Sequence, residues 1–498
     1  MSILAWTIYV SFLGALTVLL LPARGARAPH WAALGTTLLS LGMALAGAAA
    51  YSGGGHPTTI VRLDWIKPLG VQYHLAADGV SALLVVLTGI ASVAGVLFSW
   101  NVEMRAREYF AFYLALLGGV YGVFLSFDLF LLFVFYEMAI VPKYFLIAIW
   151  GSTRREYAAM KLVLYSFVGS AAALVGLVAV HVQAAALLGR PTMDLELLSR
   201  LDFPVGFQVW AFPLMFVGFG VLAGLWPLHS WAPTGHVAAP TAASMLLAGV
   251  VMKLGAYGAL RAGAALFPEG LQAWASWAAA LGVIGILYGA LVALAQRDFK
   301  FVIGFSSVSH MGFVILGLAT WNVIGLSGAV VQMFSHGVLA GLLFAVVGRM
   351  VYDRTHTRDL DELEPMRLRK ALPFAAGTFV VAGMASMGLP GFSGFVAELS
   401  ILRGAWRAAP WAAVGAGIGI VLGAAYLLRV WHKAFYSDGG DAEGGLDAAS
   451  ALPPITWPEK AGAALLAAAS LAVGLYPRIV FDLVTPSVKV ILGQGGAL

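Results

Sequence analysis

The sequence predicts an all-α polytopic membrane protein with about fourteen transmembrane helices. Hydrophobic residues make up 61% of the 498-residue chain and charged residues 11%, whereas soluble domains carry about 25% charged residues. Apolar runs long enough to cross a hydrocarbon core of about 30 Å recur along almost the whole chain. Nearly all of the protein is therefore expected inside a membrane.

The predicted spans fall in fourteen apolar runs, and we expect the first to be a retained helix because it lacks a basic leader. The runs cover residues 3–22, 31–51, 79–99, 109–126, 128–150, 161–188, 207–226, 240–263, 272–295, 300–320, 323–350, 372–402, 411–436 and 460–477. An even number of spans puts both termini on one side. Basic clusters such as Arg154/Arg155 and Arg297/Lys300 are expected inside, which places both termini on the outer (periplasmic) side of a bacterial-type inner membrane or equivalent energy-transducing membrane.

Proline and glycine interrupt two of the spans. Span 7 breaks at residues 227–239 and span 12 at residues 387–394. Proline removes a backbone donor, and irregular backbone is tolerated in a bilayer only where protein or a water-filled cavity satisfies it. Both breaks are therefore predicted to be non-helical and to face the protein interior.

The two breaks also predict the domain organisation. Interrupted spans in corresponding positions of two halves favour an inverted-repeat transporter, here with discontinuous helices 7 and 12. The predicted units are N-terminal helices 1–3 (1–108), a first half-channel repeat of helices 4–8 (109–263), a second half-channel repeat of helices 9–13 (264–436), and a loop with C-terminal helix 14 (437–498).

Ionisable side chains at membrane depth are candidate functional residues, because intramembrane charges are costly. Glu137 lies nine residues after Asp128, which is about 14 Å along a helix. Lys253 lies near the middle of span 8. Burial and neighbouring charges shift the proton affinity of both residue types, so both can exchange protons. The alternatives are a structural ion pair for Glu137 and a snorkelling side chain for Lys253.

Two histidines and a second carboxylate extend this set. His310 follows a run of serines in span 10, and His336 follows Gln332 by one turn on the same face of span 11. Glu398 lies eight residues beyond Pro390. Histidines and hydroxyl groups in series can relay protons. The alternatives are satisfied core histidines and a carboxylate that caps a helix end.

Three further residues are predicted as substitutes or as lining of the path. His229 and His236 lie in the span-7 break. Lys143 follows Glu137 by six residues and is predicted to point to a different helix face. It either lines the path or reaches the inner headgroups.

The composition also limits cofactors and partners. The chain has no cysteine, which excludes thiolate metal sites, Fe–S ligation and disulfides and leaves only histidine-held haem as an alternative. We expect no cofactor and no metal in this chain. The net charge of +5 is spread over loops and does not indicate nucleic-acid binding.

A set of motifs carries a family resemblance. They are Asp78-Gly79-Val80-Ser81, Tyr136-Glu137 with Pro142, Pro227-Leu228-His229-Ser230-Trp231, Ser306-Ser307-Val308-Ser309-His310, the stretch Tyr352 to Arg358, and Gly391-Phe392-Ser393-Gly394 followed by Glu398. Together they resemble the antiporter-like proton-translocating membrane subunits of respiratory complex I (NADH-quinone oxidoreductase), most closely the chain M or mitochondrial subunit 4 type. The likeness covers most of residues 70–436. The Tyr352–Arg358 stretch favours this type over its two paralogues, as does the short segment after span 14.

The resemblance implies a membrane-arm subunit that translocates protons while quinone is reduced elsewhere in the complex, without a redox centre of its own. It implies that Glu137, Lys253, His310, His336 and Glu398 belong to a hydrated mid-membrane axis. Flavin, Fe–S clusters and quinone are expected in partner subunits. The partners would include paralogous antiporter-like subunits, with lipid and protons as further contacts.

One position departs from the family's pattern. The family usually has a lysine in span 7, just before the Pro-Leu-His break, as partner of the span-5 glutamate, but Leu222 stands there. No residue from 203 to 228 is ionisable. We expect His229 or, through water, Lys253 to take over part of the proton exchange of Glu137. The alternatives are a first half-channel that works differently and a chain that does not pump by the usual route.

The residues leave two other functions open. A cation/proton antiporter subunit of a multisubunit antiporter, or a subunit of a membrane-bound hydrogenase complex, shares the pattern of Glu137 and Lys253. A purely structural spacer in a membrane arm is the third interpretation. Leu222 favours it more than usual, because the family's lysine is absent at that position. Co-purifying chains distinguish the first two functions, and proton-pumping assays of the whole complex test the third.

Overall fold

A computed structural model describes residues 2–21, 27–437 and 452–494, and nearly all of these residues are helical. Twelve helical stretches in this part of the chain are long and apolar enough to cross a membrane, and they correspond to predicted spans 1–11 and 13. Span 12 is broken into two shorter helices, and span 14 is followed by a helix bent against it by 71°. The prediction of an all-α polytopic membrane protein with about fourteen spans is confirmed.

The first half of the fold contains a β-hairpin as well as helices. Its elements are α1 (Ser2–Leu20), α2 (Ala28–Ala49), β1 (Thr58–Ile66), β2 (Val71–Ala77), α3 (Gly79–Phe98), α4 (Ala106–Leu125), α5 (Leu129–Met138), α6 (Ile140–Trp150), α7 (Arg155–Leu188), α8 (Leu195–Leu198), α9 (Val205–Ala223), α10 (Trp231–Ala238) and α11 (Thr241–Ala264).

Among the described residues of the second half, helices are the only regular elements. Its elements are α12 (Pro268–Ala295), α13 (Phe299–Ala319), α14 (Val323–Thr355), α15 (Leu360–Leu363), α16 (Leu368–Ala371), α17 (Pro373–Ser386), α18 (Ser393–Ala408), α19 (Pro410–Tyr436), α20 (Trp457–Leu475) and α21 (Arg478–Ile491). The breaks before α10 and α18 fall in the fourth span of each predicted five-helix repeat, which agrees with an inverted-repeat arrangement. The four domain boundaries stay a prediction.

The first break is shorter than predicted. Residues 227–239 were expected to be non-helical, but α10 occupies Trp231–Ala238 between two interruptions, and most of it is buried. A helix forms here because Pro233 is its third residue, where the backbone N–H has no intrahelical partner to lose. The indole Nε1 of Trp231 donates to the carbonyl of Val221 at 2.8 Å, which ties α10 back to α9. The predicted interior position is correct for α10 but wrong for Pro227, which is exposed.

The second break is only partly as predicted. Residues 387–392 are non-helical, but α18 already begins at Ser393, so the last two residues of the predicted break are helical. Gly388 and Gly391 adopt φ values of 71° and 98°, which residues with a Cβ rarely adopt. Pro390 is exposed and its neighbours are half-buried, so this break lies at the rim of the single chain. The expectation that it faces the interior is wrong for Pro390.

The hairpin β1–β2 was not predicted. Its strands pair antiparallel on one face of the molecule, which we call the hairpin face. Asp194, in the loop before α8, holds the hairpin: Arg62 Nη2 lies 2.6 Å and His74 Nδ1 lies 3.0 Å from its carboxylate. Burial alone would raise the pKa of Asp194, but hydrogen bonds from His74 and Leu197 and the charges of His74 and Arg62 outweigh burial, and the pKa is lowered.

Because the folded-state pKa of Asp194 is lowered, its stabilising effect is present above the unfolded value of 3.8 and is lost as the pH falls through the folded value. At neutral pH we expect Asp194→Asn to weaken the attachment of the hairpin by about 2 kcal/mol, since hydrogen bonds to a charged group are lost. Limited proteolysis within residues 58–77 should become faster. Asp64→Asn, at an exposed hairpin carboxylate, is the control, and equal cleavage of the two variants would contradict this role.

The last described helix also closes the hairpin face. The backbone N–H of Gly79, the first residue of α3, donates to Ser487 Oγ of α21 at 2.8 Å. A Cβ on Gly79 would lie 1.7 Å from the carbonyl oxygen of Leu483, so this close approach requires glycine. Helix α21 was not predicted from the sequence.

Candidate functional site

Lys253 lies at the centre of the molecule. Its helix, α11, is completely buried, and π-helical turns at Leu247–Val251 and Ala259–Ala264 lie on either side of the lysine. Such π turns are frequent at functional sites. The Lys253 Nζ donates to the Ala248 carbonyl and lies 2.7 Å from His336 Nδ1 of α14. This burial contradicts the alternative that Lys253 snorkels to a membrane surface.

A chain of polar side chains continues from Lys253 into the second half of the fold. The rings of His336 and His310 are 5.5 Å apart between centroids. His310 Nδ1 lies 3.2 Å from Glu398 Oε1, and its Nε2 lies 2.9 Å from Ser386 Oγ. Gln332 Nε2 lies 3.5 Å from the same Glu398 oxygen. Four of the five predicted axis residues therefore form one contiguous row.

The row encloses a small cavity. It has a volume of about 10 Å³ and is lined by His310, His336, Ser335 and Glu398 among others, which is the scale of a single water molecule. Glu398 and His336 are each 3% exposed. The row is therefore closed off from lipid and bulk solvent, and its members are well placed to exchange protons with one another.

His236 and Lys300 lie on the other side of Lys253. His236 is fully buried and interacts electrostatically with both Lys253 and Lys300. The Lys300 Nζ donates to the carbonyls of Val237 and Ala239 at 3.2 and 2.7 Å, where the end of α10 leaves carbonyl groups free. His236 and Lys300 therefore lie near Lys253, although no direct hydrogen bond joins the three side chains among the described residues. Sequence reasoning missed Lys300 as a site residue.

His229 lies apart from this row. Its ring packs edge-on against Tyr288 at 5.0 Å, and the charge that acts on it is that of Lys161. Lys161 Nζ donates to Thr234 Oγ1 at 3.3 Å. The geometry therefore does not bring His229 to Glu137, the position for which it was predicted as a substitute.

Glu137 belongs to a second polar cluster between α5, α6 and α7. Ser170 Oγ of α7 donates to its carboxylate. Lys143 is 1% exposed, and its Nζ has no hydrogen-bond partner among the described residues. The charges of Lys143 and Glu137 influence each other. Of the two alternatives for Lys143, the burial of its whole side chain contradicts the one in which it reaches the inner headgroups.

Two large cavities lie at the two ends of α11. One, of about 370 Å³, includes Thr241 and Lys300 in its lining and lies on the face opposite the hairpin. The other, of about 390 Å³, includes Asp78 and Arg261 and opens at the hairpin face. Lys253 lies between them along α11.

Several polar groups around these cavities were missed from the sequence because their partners are distant along the chain. Arg261 of α11 pairs with the buried Asp78, and Tyr257 Oη lies 3.0 Å from Ser81 Oγ. Asp78 was visible as part of a motif, but its partner was not. Serine hydroxyls, such as that of Ser170, carry no signal that distinguishes them from the small residues of packed helices.

Among the described residues, no group of three or more His, Asp or Glu side chains is arranged to hold a metal ion.

Comparison with known proteins bears on this geometry. The family described as "NADH:quinone oxidoreductase/Mrp antiporter, TM" matches residues 126–423. NADH-quinone oxidoreductase subunit M of Rhodobacter capsulatus is 37% identical over 495 residues, covering 96% of this chain and 94% of the relative. The same subunit of Pseudomonas aeruginosa is 38% identical over 502 residues, covering 97% of this chain and 96% of the relative.

Among solved structures, a chain of respiratory complex I from Thermus thermophilus with bound NADH matches with a TM-score of 0.88. Its identity is 28%, and the match covers 100% of both chains. The resemblance inferred from the motifs is confirmed, because sequence and fold agree over nearly the whole length. The chain belongs to the NADH:quinone oxidoreductase/Mrp antiporter family of membrane proteins and is similar to its subunit M type.

Proposed function

We propose that this chain is a membrane-arm subunit of a complex I-like NADH (or other donor):quinone oxidoreductase and translocates protons across the membrane, coupled to quinone reduction elsewhere in the complex. The observation that carries the proposal is the contiguous buried row from Lys253 through His336 and His310 to Glu398, with His236 and Lys300 near its Lys253 end. Intramembrane ionisable groups are costly and are retained where they serve a path. The similarity to subunit M over nearly the full length supports this function over a structural spacer.

The row suits proton transfer because each member can change its proton content. Lys253 Nζ can release a proton to His336 Nδ1 across 2.7 Å, which is a normal hydrogen-bond distance. Imidazole accepts a proton on one nitrogen and donates from the other, so His336 and His310 can pass it on. A single water in the cavity between them would complete the connection. Glu398 would be the terminal carboxylate of the row.

The two large cavities are proposed as the routes to the membrane surfaces. The cavity beside Lys300 would admit protons on the face where basic clusters lie. The positive-inside rule makes that face the inner side and the hairpin face, with both termini, the outer (periplasmic) side. The cavity beside Asp78 and Arg261 would then face outside. The membrane would be a bacterial-type inner membrane or an equivalent energy-transducing membrane.

The partners would be the other membrane-arm subunits, including paralogous antiporter-like chains. Glu137 is only partly buried in the single chain, and its neighbours Met138 and Val141 are 42% and 55% exposed. A carboxylate facing lipid is costly, so a neighbouring subunit would cover this surface. Flavin, Fe–S clusters and quinone would belong to partner subunits, and this chain would act as a non-redox subunit of the translocase.

Replacing Glu137 by glutamine tests the role of the second cluster. We expect Glu137→Gln to reduce proton translocation more than it reduces assembly, because the amide keeps the shape of the side chain but cannot exchange a proton. Inverted membrane vesicles would report pumping by dye quenching and assembly by native gels. Glu108→Gln, at an exposed carboxylate, is the matched control. Normal assembly with normal pumping in Glu137→Gln would remove Glu137 from the path.

A cation/proton antiporter subunit is the second candidate function. The family that matches residues 126–423 includes Mrp antiporters in its description, and a chain of the Mrp complex of Dietzia sp. shares the fold with a TM-score of 0.83, at 22% identity and with 99% of both chains covered. The higher identity to subunit M of oxidoreductases favours the first function. Identification of the chains that co-purify with this protein distinguishes the two.

A further inference from the structure

The surroundings of Glu137 contain a buried cation, Lys143, whose Nζ has no hydrogen-bond partner among the described residues. The carboxylate accepts a hydrogen bond from Ser170, and besides this contact the charge of Lys143 acts on it. Position 222 on α9 lies near Glu137. Tyr136, the residue before Glu137, packs edge-on against Phe219 with 5.2 Å between ring centroids, and Leu222 lies one turn beyond Phe219. Leu222 is fully buried and brings no charge.

The Lys143 side chain is suited to reach towards Glu137. Six residues correspond to about 9 Å along a helix, but side chains on helices lean towards the N-terminus. The long side chain of Lys143 therefore extends back along α6 towards α5, where Glu137 lies. α5 and α6 form one span, Leu129–Trp150, so Lys143 and Glu137 lie on the same rod of helix.

A hydroxyl group lies at intermediate depth between the two charges. Ser166 precedes Ser170 by one turn on α7, so both face the same side, and α7 runs antiparallel to α5 and α6. The Oγ of Ser166 is buried and has no hydrogen-bond partner among the described residues. The same is true of Lys143 Nζ and Tyr136 Oη. Buried polar groups without a direct partner are a typical setting for a bridging water.

The other basic groups near the path have different neighbours. Lys253 contacts His336 and the Ala248 carbonyl, and the charge of Lys161 acts on His229. The charge that acts on Lys143 is that of Glu137. An ionised lysine buried without any charge partner would be strongly unfavourable, so Lys143 and Glu137 are natural partners.

We propose that Lys143 is the cationic partner of Glu137 and supplies, from the same span, the charge that position 222 on α9 lacks. The inference rests on the proposed function, because the pairing matters for activity only if Glu137 exchanges protons. In this role Lys143 is a positioning residue: it holds Glu137 ionised until a proton arrives and responds to the protonation of Glu137. His229 and Lys253 are then not needed as substitutes.

The test compares Lys143→Met with the swap variant Lys143→Met/Leu222→Lys, both in the assembled complex. We expect Lys143→Met to raise the ratio of protonated to ionised Glu137 roughly tenfold, because a nearby cation stabilises the ionised form of a carboxyl group by about that factor or more. Difference infrared spectroscopy would show a larger protonated-carboxyl band, identified by its loss in Glu137→Gln. Pumping per quinone reduced should fall in Lys143→Met and recover in the swap variant. Lys67→Met, at an exposed lysine, is the control.

The outcomes separate the two proposals. If Glu137→Gln pumps normally, the proposed role of Glu137 fails, whatever Lys143 does. If Glu137→Gln is impaired but Lys143→Met leaves both the carboxyl band and pumping unchanged, the pairing is wrong while the proposed function stands. If Lys143→Met does not assemble, the swap variant decides: recovery of assembly with the normal carboxyl band supports the pairing, and failure of both variants overturns it.

Discussion

Replacing Lys253 by methionine is expected to reduce proton pumping about 100-fold, the usual scale for loss of one proton-transfer group, while the complex still assembles. Methionine keeps most of the volume of the side chain. The contacts of Lys253 are the Ala248 carbonyl and a histidine nitrogen of His336, so its removal strands no opposite charge. The row then loses its Lys253 end, near which His236 and Lys300 lie.

Pumping and quinone reduction should be measured together in inverted vesicles, with native gels to quantify assembly. Lys67→Met makes the same chemical change at an exposed position on the hairpin and should behave like the unmodified protein. Full pumping in Lys253→Met would show that protons bypass the Lys253 end of the row, and the proposed route would have to be abandoned.

Replacing Arg354 by methionine is expected to have the opposite signature, a loss of assembled complex with normal pumping by whatever assembles. Arg354 Nη2 lies 2.8 Å from Glu459 Oε2, and the guanidinium also donates to the carbonyls of Pro453 and Pro454 at 2.8 Å. Arg354 and Glu459 are 7% and 1% exposed. Arg349 Nε lies 2.6 Å from the other carboxylate oxygen of Glu459, so Glu459 keeps one cation in Arg354→Met. Breaking a buried ion pair costs about 3–5 kcal/mol when the remaining charge is left unpaired, so we expect a cost at the lower end of that range.

The amount of complex on native gels, and the pumping rate divided by that amount, would measure the two effects separately. Lys370→Met, at an exposed basic residue of α16, is the control. The double variant Arg354→Met/Glu459→Leu should regain part of the assembly, because the buried carboxylate is removed together with Arg354 and Arg349 keeps Asp353 at 3.0 Å as its partner. A normal amount of complex in Arg354→Met would show that the pair contributes little to the fold.

The spans and the buried row could be predicted because each depends on a local signal. Apolar length marks a span, and a charge at membrane depth such as Lys253 is conspicuous in an apolar sequence. The breaks were visible for the same reason, since proline and glycine are local signals. The short helix around Pro233 was missed because proline was taken as a helix breaker throughout, although the first turn of a helix tolerates it.

What depends on contacts between distant segments could not be predicted. The hairpin is held by Asp194, which lies in a remote loop, and its strand β1 is exposed along much of its length. The complete burial of Lys143 could not be predicted, because it depends on how the other helices pack around span 5. Ser170, which binds Glu137, and Ser386, which binds His310, have no sequence signature. Their roles follow from which helices pack together.

The hydrogen bond between Gly79 and Ser487 has a consequence for the order in which the protein is made. Its two residues are separated by 408 positions, so at about 5–20 residues per second roughly 20–80 s pass between their synthesis. During that interval the hairpin-face end of α3 is not yet packed against α21. The earliest helices therefore cannot reach their final packing until the ribosome has delivered α21, and a chain interrupted before residue 478 would leave this end of α3 uncovered, whatever the state of its proton path.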